Sequence, residues 1–288
     1  MFSIVVPVYN ETEGVEASLT RLTNGLAAAG IPHEVLVVDD GSGAETSRIL
    51  ARLSGIRVLK HPENRGYGAA LKTGIRAAQG DIIGIIDADG SYPAAEFPRL
   101  FKELHDGVDM VVGVRMGPGR AFPLLRRPGK IVIGALAAFL VGRRIPDLNS
   151  GMRVMRRTMV ERFLHLVPDG FSFTTTVTLA ALTNKLGVGW VAIAYAPRMG
   201  TSTITFRRGL LSEFPNFLTL VVRIVTYFRP LRFFAVPSLL FLGLGLGNLV
   251  RTLVMDQNIT DASILLIVVG IQIGLMGLLA DLIVRSRR

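Results

Sequence analysis

The chain has 288 residues, room for one domain of about 200 residues plus an appendage. Half of its residues are hydrophobic, its mean hydropathy is +0.45 and its formal net charge is +10. It has no cysteine, which excludes disulfides, thiolate metal sites and cysteine nucleophiles.

Strand and helix signals alternate from the start. Met1-Phe2-Ser3-Ile4-Val5-Val6-Pro7 lacks a basic region and a cleavage site, so Ser3–Pro7 reads as a strand rather than a signal peptide. Gly14–Ala29 reads as helix, Glu34–Asp39 as strand, Glu45–Leu53 as helix, and Arg57–Lys60 as a short strand. Helical Tyr67–Ala78, the strongly apolar strand Ile82–Asp87, helical Ala94–His105 and strand Met110–Gly113 follow. Such alternation predicts an α/β fold, a mostly parallel sheet with helices on both faces. Ligands of such sheets sit beyond the carboxyl ends of the strands. That rule gathers Pro7-Val8-Tyr9-Asn10-Glu11, Asp39-Asp40-Gly41-Ser42 and Asp87-Ala88-Asp89 around one crevice.

Beyond residue 113 the alternation loosens. Ile131–Gly142 is too short to cross a bilayer of about 30 Å and reads as a buried or interfacial helix. Gly189–Tyr195 reads as a strand that carries Trp190 into the core. Leu210–Phe228 mixes apolar residues with Glu213, Pro215 and Arg223, as an amphipathic interfacial helix does. Phe233–Met255 and Ala262–Leu282 are long enough to span. Three regions are therefore expected: a catalytic domain over 1–205, interfacial helices over 206–232, and two spans with a basic tail over 233–288 (spans near 233–255 and 262–284).

Charge locates the membrane. Arg115 to Arg157 holds ten Lys/Arg against one acid, Asp147, a net +9 that is nearly the whole excess. With an apolar run at its centre and spans downstream, this window reads as a surface for anionic lipid head groups and a phosphate substrate, not for nucleic acid. Arg207, Arg208, Arg223, Arg229 and Arg232 precede the first span, and Arg285, Arg287 and Arg288 follow the second; the connector 256–261 carries acids only. The positive-inside rule predicts a multi-pass protein of the cytoplasmic membrane with its catalytic domain and C-terminus in the cytoplasm. Arg251, near the outer end, is expected to snorkel. Gly243/Gly247 and Gly270/Gly274, each four apart, permit close helix packing or are merely the glycine common in membrane helices.

Asp87-Ala88-Asp89 carries the strongest chemical signal. Residues i and i+2 of an extended chain point the same way, so both carboxylates can face one divalent cation. Mg²⁺ or Mn²⁺ held by one or two carboxylates and substrate phosphates is the usual arrangement for such ligands. In Asp39-Asp40-Gly41-Ser42 an acid can accept hydrogen bonds from a nucleobase or ribose, or Asp40 or Ser42 can cap the next helix. Pro7-Val8-Tyr9-Asn10-Glu11 offers a rigid turn, an aromatic face and an acid, which suits a base-binding wall. Gly66-Tyr67-Gly68 opens a helix, with phosphate contact and plain helix entry equally open. The four histidines have no ligand spacing and read as surface or satisfied positions.

These residues resemble glycosyltransferase family 2, with the metal-dependent GT-A fold, and within it the dolichol-phosphate mannose synthase and bacterial polyprenyl-phosphate glycosyltransferase branch. The ordered motifs that carry the resemblance run from Ile4 to about Arg232. They are Val6-Pro7-Val8-Tyr9-Asn10-Glu11, Val37-Val38-Asp39-Asp40-Gly41-Ser42, Asn64-Arg65-Gly66-Tyr67-Gly68-Ala69-Ala70 and Asp87-Ala88-Asp89-Gly90-Ser91-Tyr92-Pro93. Val112-Gly113-Val114-Arg115, Asp147-Leu148-Asn149-Ser150-Gly151-Met152-Arg153 and Pro197-Arg198-Met199-Gly200-Thr201-Ser202 complete the set.

The resemblance implies that Pro7, Tyr9, Glu11, Val38 and Asp40 hold the nucleoside, with Asp87 and Ala88 beside the nucleotide. It implies that Asp87 and Asp89 flank the metal and diphosphate, Asp89 being the direct ligand. Arg115 and Ser150, with Arg153 and Arg144, would meet the acceptor phosphate, and Arg198 would lie near the diphosphate. Three positions depart from the family pattern: Ser91 replaces a frequent Gln, Pro146 a frequent Arg (for which Arg144 is the substitute), and Thr203 a frequent Lys.

The implied function is transfer of a sugar from a GDP- or UDP-linked donor to an undecaprenyl- or dolichyl-type polyprenyl phosphate. An acceptor phosphate is already anionic, so charge neutralisation rather than a strong base is required, and direct displacement inverts the anomeric centre. A homo-oligomer is left open. The rivals are a processive polysaccharide synthase, whose Gln-x-x-Arg-Trp motif is absent here, a glycosyltransferase with a different lipid acceptor, and a catalytically silent nucleotide-sugar-binding scaffold.

Overall fold

A computed structural model of the chain describes residues 1–117, 127–170, 172–197, 230–255 and 257–286, the side chains of 127–133 and 285 excepted. The expected interfacial helix Leu210–Phe228, Arg198 and Thr203 lie outside the described residues. Two compact units form: residues 1–134 with 144–209, and residues 135–143 with 210–288.

The first unit is a seven-stranded sheet with helices. In chain order come β1 (Phe2–Val8), α1 (Val15–Ala28), β2 (His33–Asp39), α2 (Ala44–Arg52), β3 (Arg57–Lys60), α3 (Tyr67–Ala77) and β4 (Ile82–Ile85). A 3-10 turn, Ala94–Glu96, leads into α4 (Phe97–Lys102), then β5 (Met110–Met116) and α5 (Arg127–Val141), whose residues from 135 on belong to the second unit. β6 (Arg153–Arg156), α6 (Arg157–Phe163), α7 (Phe173–Thr183) and β7 (Val188–Ala194) complete it. The sheet order is β3-β2-β1-β4-β6-β5-β7. Every pairing is parallel except those of β6, which runs antiparallel between β4 and β5. The mostly parallel α/β reading holds, and its strands fall within a few residues of their expected bounds.

Burial follows from that topology. β1 reads FSIVVPV, and six of its seven residues are buried because helices cover both faces. Phe2 meets the Phe97 ring edge-on at 5.5 Å, pinning α4 to the sheet. α1 buries Val15, Leu19, Leu22 and Leu26, a single stripe at helical spacing.

Three elements, β6, α6 and α7, were not foreseen. α7 is buried on all sides, and its threonines satisfy themselves: Thr178 Oγ1 donates to Thr174 O at 2.7 Å and Thr183 Oγ1 to Leu179 O at 2.6 Å. β6 carries two arginines, and Trp190, expected in the core, is half-buried on β7.

The second unit contains a hairpin of two apolar helices, Pro230–Met255 and Asp261–Ser286, both long and apolar enough to cross a membrane. Ser238 Oγ donates to Gly270 O at 2.8 Å, and Asn248 Nδ2 donates to Ser263 Oγ at 2.9 Å near the connector. Gly270 and Gly274 do permit close packing: a Cβ on Gly270 would lie 2.9 Å from Leu242 N, and one on Gly274 2.9 Å from Ser238 Oγ. Gly243 and Gly247 face open space instead, and the close contact on the first helix is made by Gly245 against Ile267.

Candidate functional site

A cavity of about 420 Å³ opens at the carboxyl ends of β1, β2 and β4. Pro7, Val8, Tyr9 and Glu11 line it after β1, Asp40 after β2, and Asp87, Ala88 and Asp89 after β4. Gly66, Tyr67 and Ala70 enter from α3. Because β6 is antiparallel, the residues that precede it come to this same end, so Asn149 and Gly151 join the wall, with Ser172 and Thr174 at the start of α7.

The two carboxylates of Asp87 and Asp89 are braced by their neighbours. Tyr67 Oη donates to Asp87 Oδ1 at 2.9 Å, and a Cβ on Gly151 would run into the same carboxylate. Burial, then the charge and hydrogen bond of Asp87, push the Tyr67 phenol well above its ordinary range, so it stays a donor. Ser91 donates to Asp89 Oδ1 twice, from Oγ at 2.5 Å and from N at 3.1 Å. The hydroxyl that stands where a Gln was expected thus orients the carboxylate beside it. Among the described residues no three His, Asp, Glu or Cys come together. Two oriented carboxylates of hard oxygen nevertheless fit Mg²⁺ or Mn²⁺, whose remaining ligands are commonly water and substrate phosphate oxygens.

The Asp39–Asp40 pair splits its tasks. Asp39 Oδ1 accepts from Ser42 N at 2.9 Å and its Oδ2 from Ser47 Oγ at 2.9 Å, bracing the turn into α2. Neither Asp40 nor Ser42 caps that helix: the N-cap is Gly43, with no side-chain cap. Asp40 points toward α3, accepting from Arg65 N at 3.0 Å, Gly66 N at 2.8 Å and His61 Nδ1 at 2.6 Å. Gly68 N and Ala69 N donate to Gly170 O and Asp169 O. The entry of α3 therefore spends these amides on the protein itself rather than on a phosphate. Gly66 sits at φ 102°, and a Cβ there would lie 2.7 Å from Asp169 O, so only glycine fits.

Arg115, at the end of β5, meets Asp147 in a two-pronged pair, with Nε to Oδ2 and Nη2 to Oδ1 both 2.8 Å. Its guanidinium also lies 5.4 Å from the centre of the Tyr195 ring. Burial pushes the Asp147 carboxyl up, but the hydrogen bonds and charge of Arg115 outweigh it, leaving the group below the ordinary carboxylate range.

Other expected site residues lie elsewhere. Val38 is fully buried beneath α3 and is not on the cavity wall. Ser150 is fully buried, and its Oγ accepts from Met152 N at 3.4 Å. Arg153, expected at the acceptor phosphate, is 0% exposed. Its guanidinium donates to Leu148 O at 3.0 Å, Ser150 O at 2.9 Å, Thr174 O at 3.0 Å and Thr178 Oγ1 at 2.6 Å. It ties the 147–153 loop to α7, and burial pulls its pKa down to about 10, still charged at neutral pH. Arg144 is exposed and off the cavity wall. The cavity residues to which sequence reasoning gave no role are Asn64, Ala70, Asn149, Gly151, Ser172 and Thr174, with His61 behind Asp40, and Tyr67 holds Asp87 rather than a phosphate.

Known proteins with this architecture decide the family. The model of glycosyl transferase family 2 matches residues 3–164, more than half of the chain. The chain belongs to glycosyltransferase family 2. A second model, the GtrB C-terminal hairpin, matches residues 229–286 of this family 2 chain. A dolichyl-phosphate hexose transferase of Haloferax volcanii is 35% identical over 206 residues, 70% of this chain and 86% of that protein. A dolichol-phosphate mannosyltransferase of Pyrococcus furiosus is 30% identical over 193 residues, 64% of this chain and 54% of that protein. An undecaprenyl-phosphate 4-deoxy-4-formamido-L-arabinose transferase of Klebsiella pneumoniae is 32% identical over 168 residues, 57% of this chain and 51% of that protein. The match thus spans about half the length of these last two relatives. Among solved structures, glucosyl-3-phosphoglycerate synthase of Mycobacterium tuberculosis with Mn²⁺ and UDP-glucose has a TM-score of 0.56 at 20% identity over 78% of each chain. That likeness bears on the fold, which is of GT-A type, and on nothing more.

Proposed function

We propose that this family 2 protein transfers a sugar from a nucleoside-diphosphate sugar to a polyprenyl phosphate at the cytoplasmic face of a membrane, with inversion. The observation that carries the donor half is the cavity wall: Pro7 and Tyr9 at the end of β1, Asp40 at the end of the adjacent β2, and the braced pair Asp87 and Asp89 after β4. The acceptor half is supported by the relatives, three of which are named for dolichyl, dolichol or undecaprenyl phosphate. A GtrB-type hairpin on the same chain gives such an acceptor a membrane to reside in.

Pro7 and Tyr9 offer the nucleoside a rigid strand end and an aromatic face, and Asp40 offers it a hydrogen-bond acceptor. Asp87 and Asp89 would hold Mg²⁺ or Mn²⁺, which when bound neutralises the leaving diphosphate. Asp147 fixes the plane of Arg115, which we assign with Arg198 to the phosphates of the reacting groups. Arg153 and Ser150 support that loop from within. The acceptor oxygen is anionic before it attacks, so orientation and charge neutralisation suffice.

The deciding experiment gives the purified full chain undecaprenyl phosphate, a divalent cation and a set of nucleotide-sugars, and weighs the lipid product. A gain of one sugar residue that disappears with chelator is expected. Nucleotide-sugar binding without any lipid product would remove the acceptor assignment and favour the silent nucleotide-sugar-binding scaffold, and no binding at all would remove the donor assignment as well.

Orientation has its own test. The connector between the spans carries Asp256 and Asp261 and no Lys or Arg, so it is expected on the outer side. Because the chain has no cysteine, Asn258→Cys supplies a single thiol. Labelling of intact cells by a membrane-impermeant maleimide is expected, and labelling only after lysis would invert the topology.

A further inference from the structure

His61 is 4% exposed and sits where three elements meet. It follows β3, and its backbone N–H donates to Asp39 O at 2.9 Å. Its Nδ1 lies 2.6 Å from Asp40 Oδ1 and its Nε2 2.9 Å from Thr73 Oγ1 on α3. An ionised carboxylate only accepts, so Nδ1 carries a proton toward Asp40; a neutral ring then takes the Thr73 hydroxyl proton at Nε2.

Asp40 is consequently held from several directions. Oδ1 accepts from His61 and Arg65 N, and Oδ2 accepts from Gly66 N. A carboxylate has about four lone-pair positions, so roughly one acceptor position is left, on Oδ2. Asp40 lines the cavity beside Tyr9 and Pro7. An acceptor fixed there matches a base that presents an N–H on its pairing edge, such as the imino group of uracil or guanine.

We propose that His61 is a positioning residue for the donor's nucleobase, holding Asp40 so that its remaining acceptor position meets a base N–H. The proposal rests on the nucleotide-sugar reading. Without the imidazole the carboxylate keeps two backbone amides but loses its shortest partner and the link through it to Thr73 on α3, and it is held less firmly against rotation away from the base. Hydrogen bonds to charged groups are strong enough for this to matter.

The test uses the full-length protein, Mn²⁺ and calorimetry with UDP, GDP and inorganic pyrophosphate. His61→Leu is expected to weaken the nucleoside diphosphate about 10- to 100-fold while leaving pyrophosphate within about 3-fold of wild type. In turnover the donor KM rises, and kcat and the polyprenyl phosphate KM stay within about 3-fold. His61→Asn, whose amide still donates to Asp40, is expected to recover most of the lost affinity; Thr73→Val keeps the Asp40 contact and is expected to show the smaller loss. Equal weakening of pyrophosphate, unchanged nucleotide binding by His61→Leu, or no recovery in a folded His61→Asn would each overturn the proposal. A wild-type protein that binds neither nucleotide would instead sink the donor reading on which it rests.

Discussion

Asp89→Ala is expected to lower sugar transfer by about 10²- to 10³-fold, the scale seen when one fixed electrostatic partner of a developing charge is removed. The carboxylate is buried and accepts the Ser91 hydroxyl and amide, so its direction is set before any ligand arrives. Deleting it takes away one of the two carboxylates assigned to a cation and leaves Ser91 without its acceptor. Loss of transfer should be matched by loss of Mn²⁺-dependent nucleotide binding, read by the electron paramagnetic resonance of bound Mn²⁺. The circular dichroism spectrum should be unchanged. Activity within about 3-fold of wild type would show that Asp89 does not serve the diphosphate.

The second large effect concerns stability. Asp147→Ala removes a carboxylate that takes Nε and Nη2 of Arg115 and the backbone amides of Arg115 and Asn149. The two side chains are 6% and 11% exposed. Breaking a buried, hydrogen-bonded ion pair from one side costs about 3–5 kcal/mol. For a domain of this size that is a fall in Tm of about 6–20 °C, measurable by scanning calorimetry. Asp147→Leu combined with Arg115→Met should recover much of the loss, since two apolar groups strand no charge. Acid should reproduce the single variant. The folded-state pKa of Asp147 is depressed, so its contribution is complete above the unfolded value of about 3.9 and is lost as pH falls through the folded one. Wild type should therefore lose stability below about pH 4 more steeply than Asp147→Ala.

How much of this was legible depends on the element. Strands β1, β2 and β4 announced themselves because parallel strands covered on both faces are apolar runs ending in turn and acidic residues. Asp40, Asp87 and Asp89 fall at those ends by the topology of the fold, so their convergence on one cavity was foreseeable. α7 was not: an amphipathic stripe marks a helix half in water, and a helix buried all round has none. β6 hid because its basic residues read as surface, whereas Arg153 is charged and fully interior, its donors spent on carbonyls and a threonine hydroxyl. Missing β6 also meant missing that Asn149 and Gly151 reach the cavity, since only an antiparallel strand brings the residues before it to that end.

Patterns that repeat along the chain, namely apolar runs, acids at strand ends, paired long apolar helices and the ordered motifs, determine the family, the sheet and the carboxylates at the cavity wall, because each is a property of neighbouring residues. Partnerships between distant residues belong to the tertiary structure alone. His61 with Asp40 across 21 positions, Arg115 with Asp147 across 32 and Tyr67 with Asp87 across 20 leave no periodic trace. A hydrogen bond depends on angstroms of separation, and only the folded chain sets those for residues so far apart in sequence.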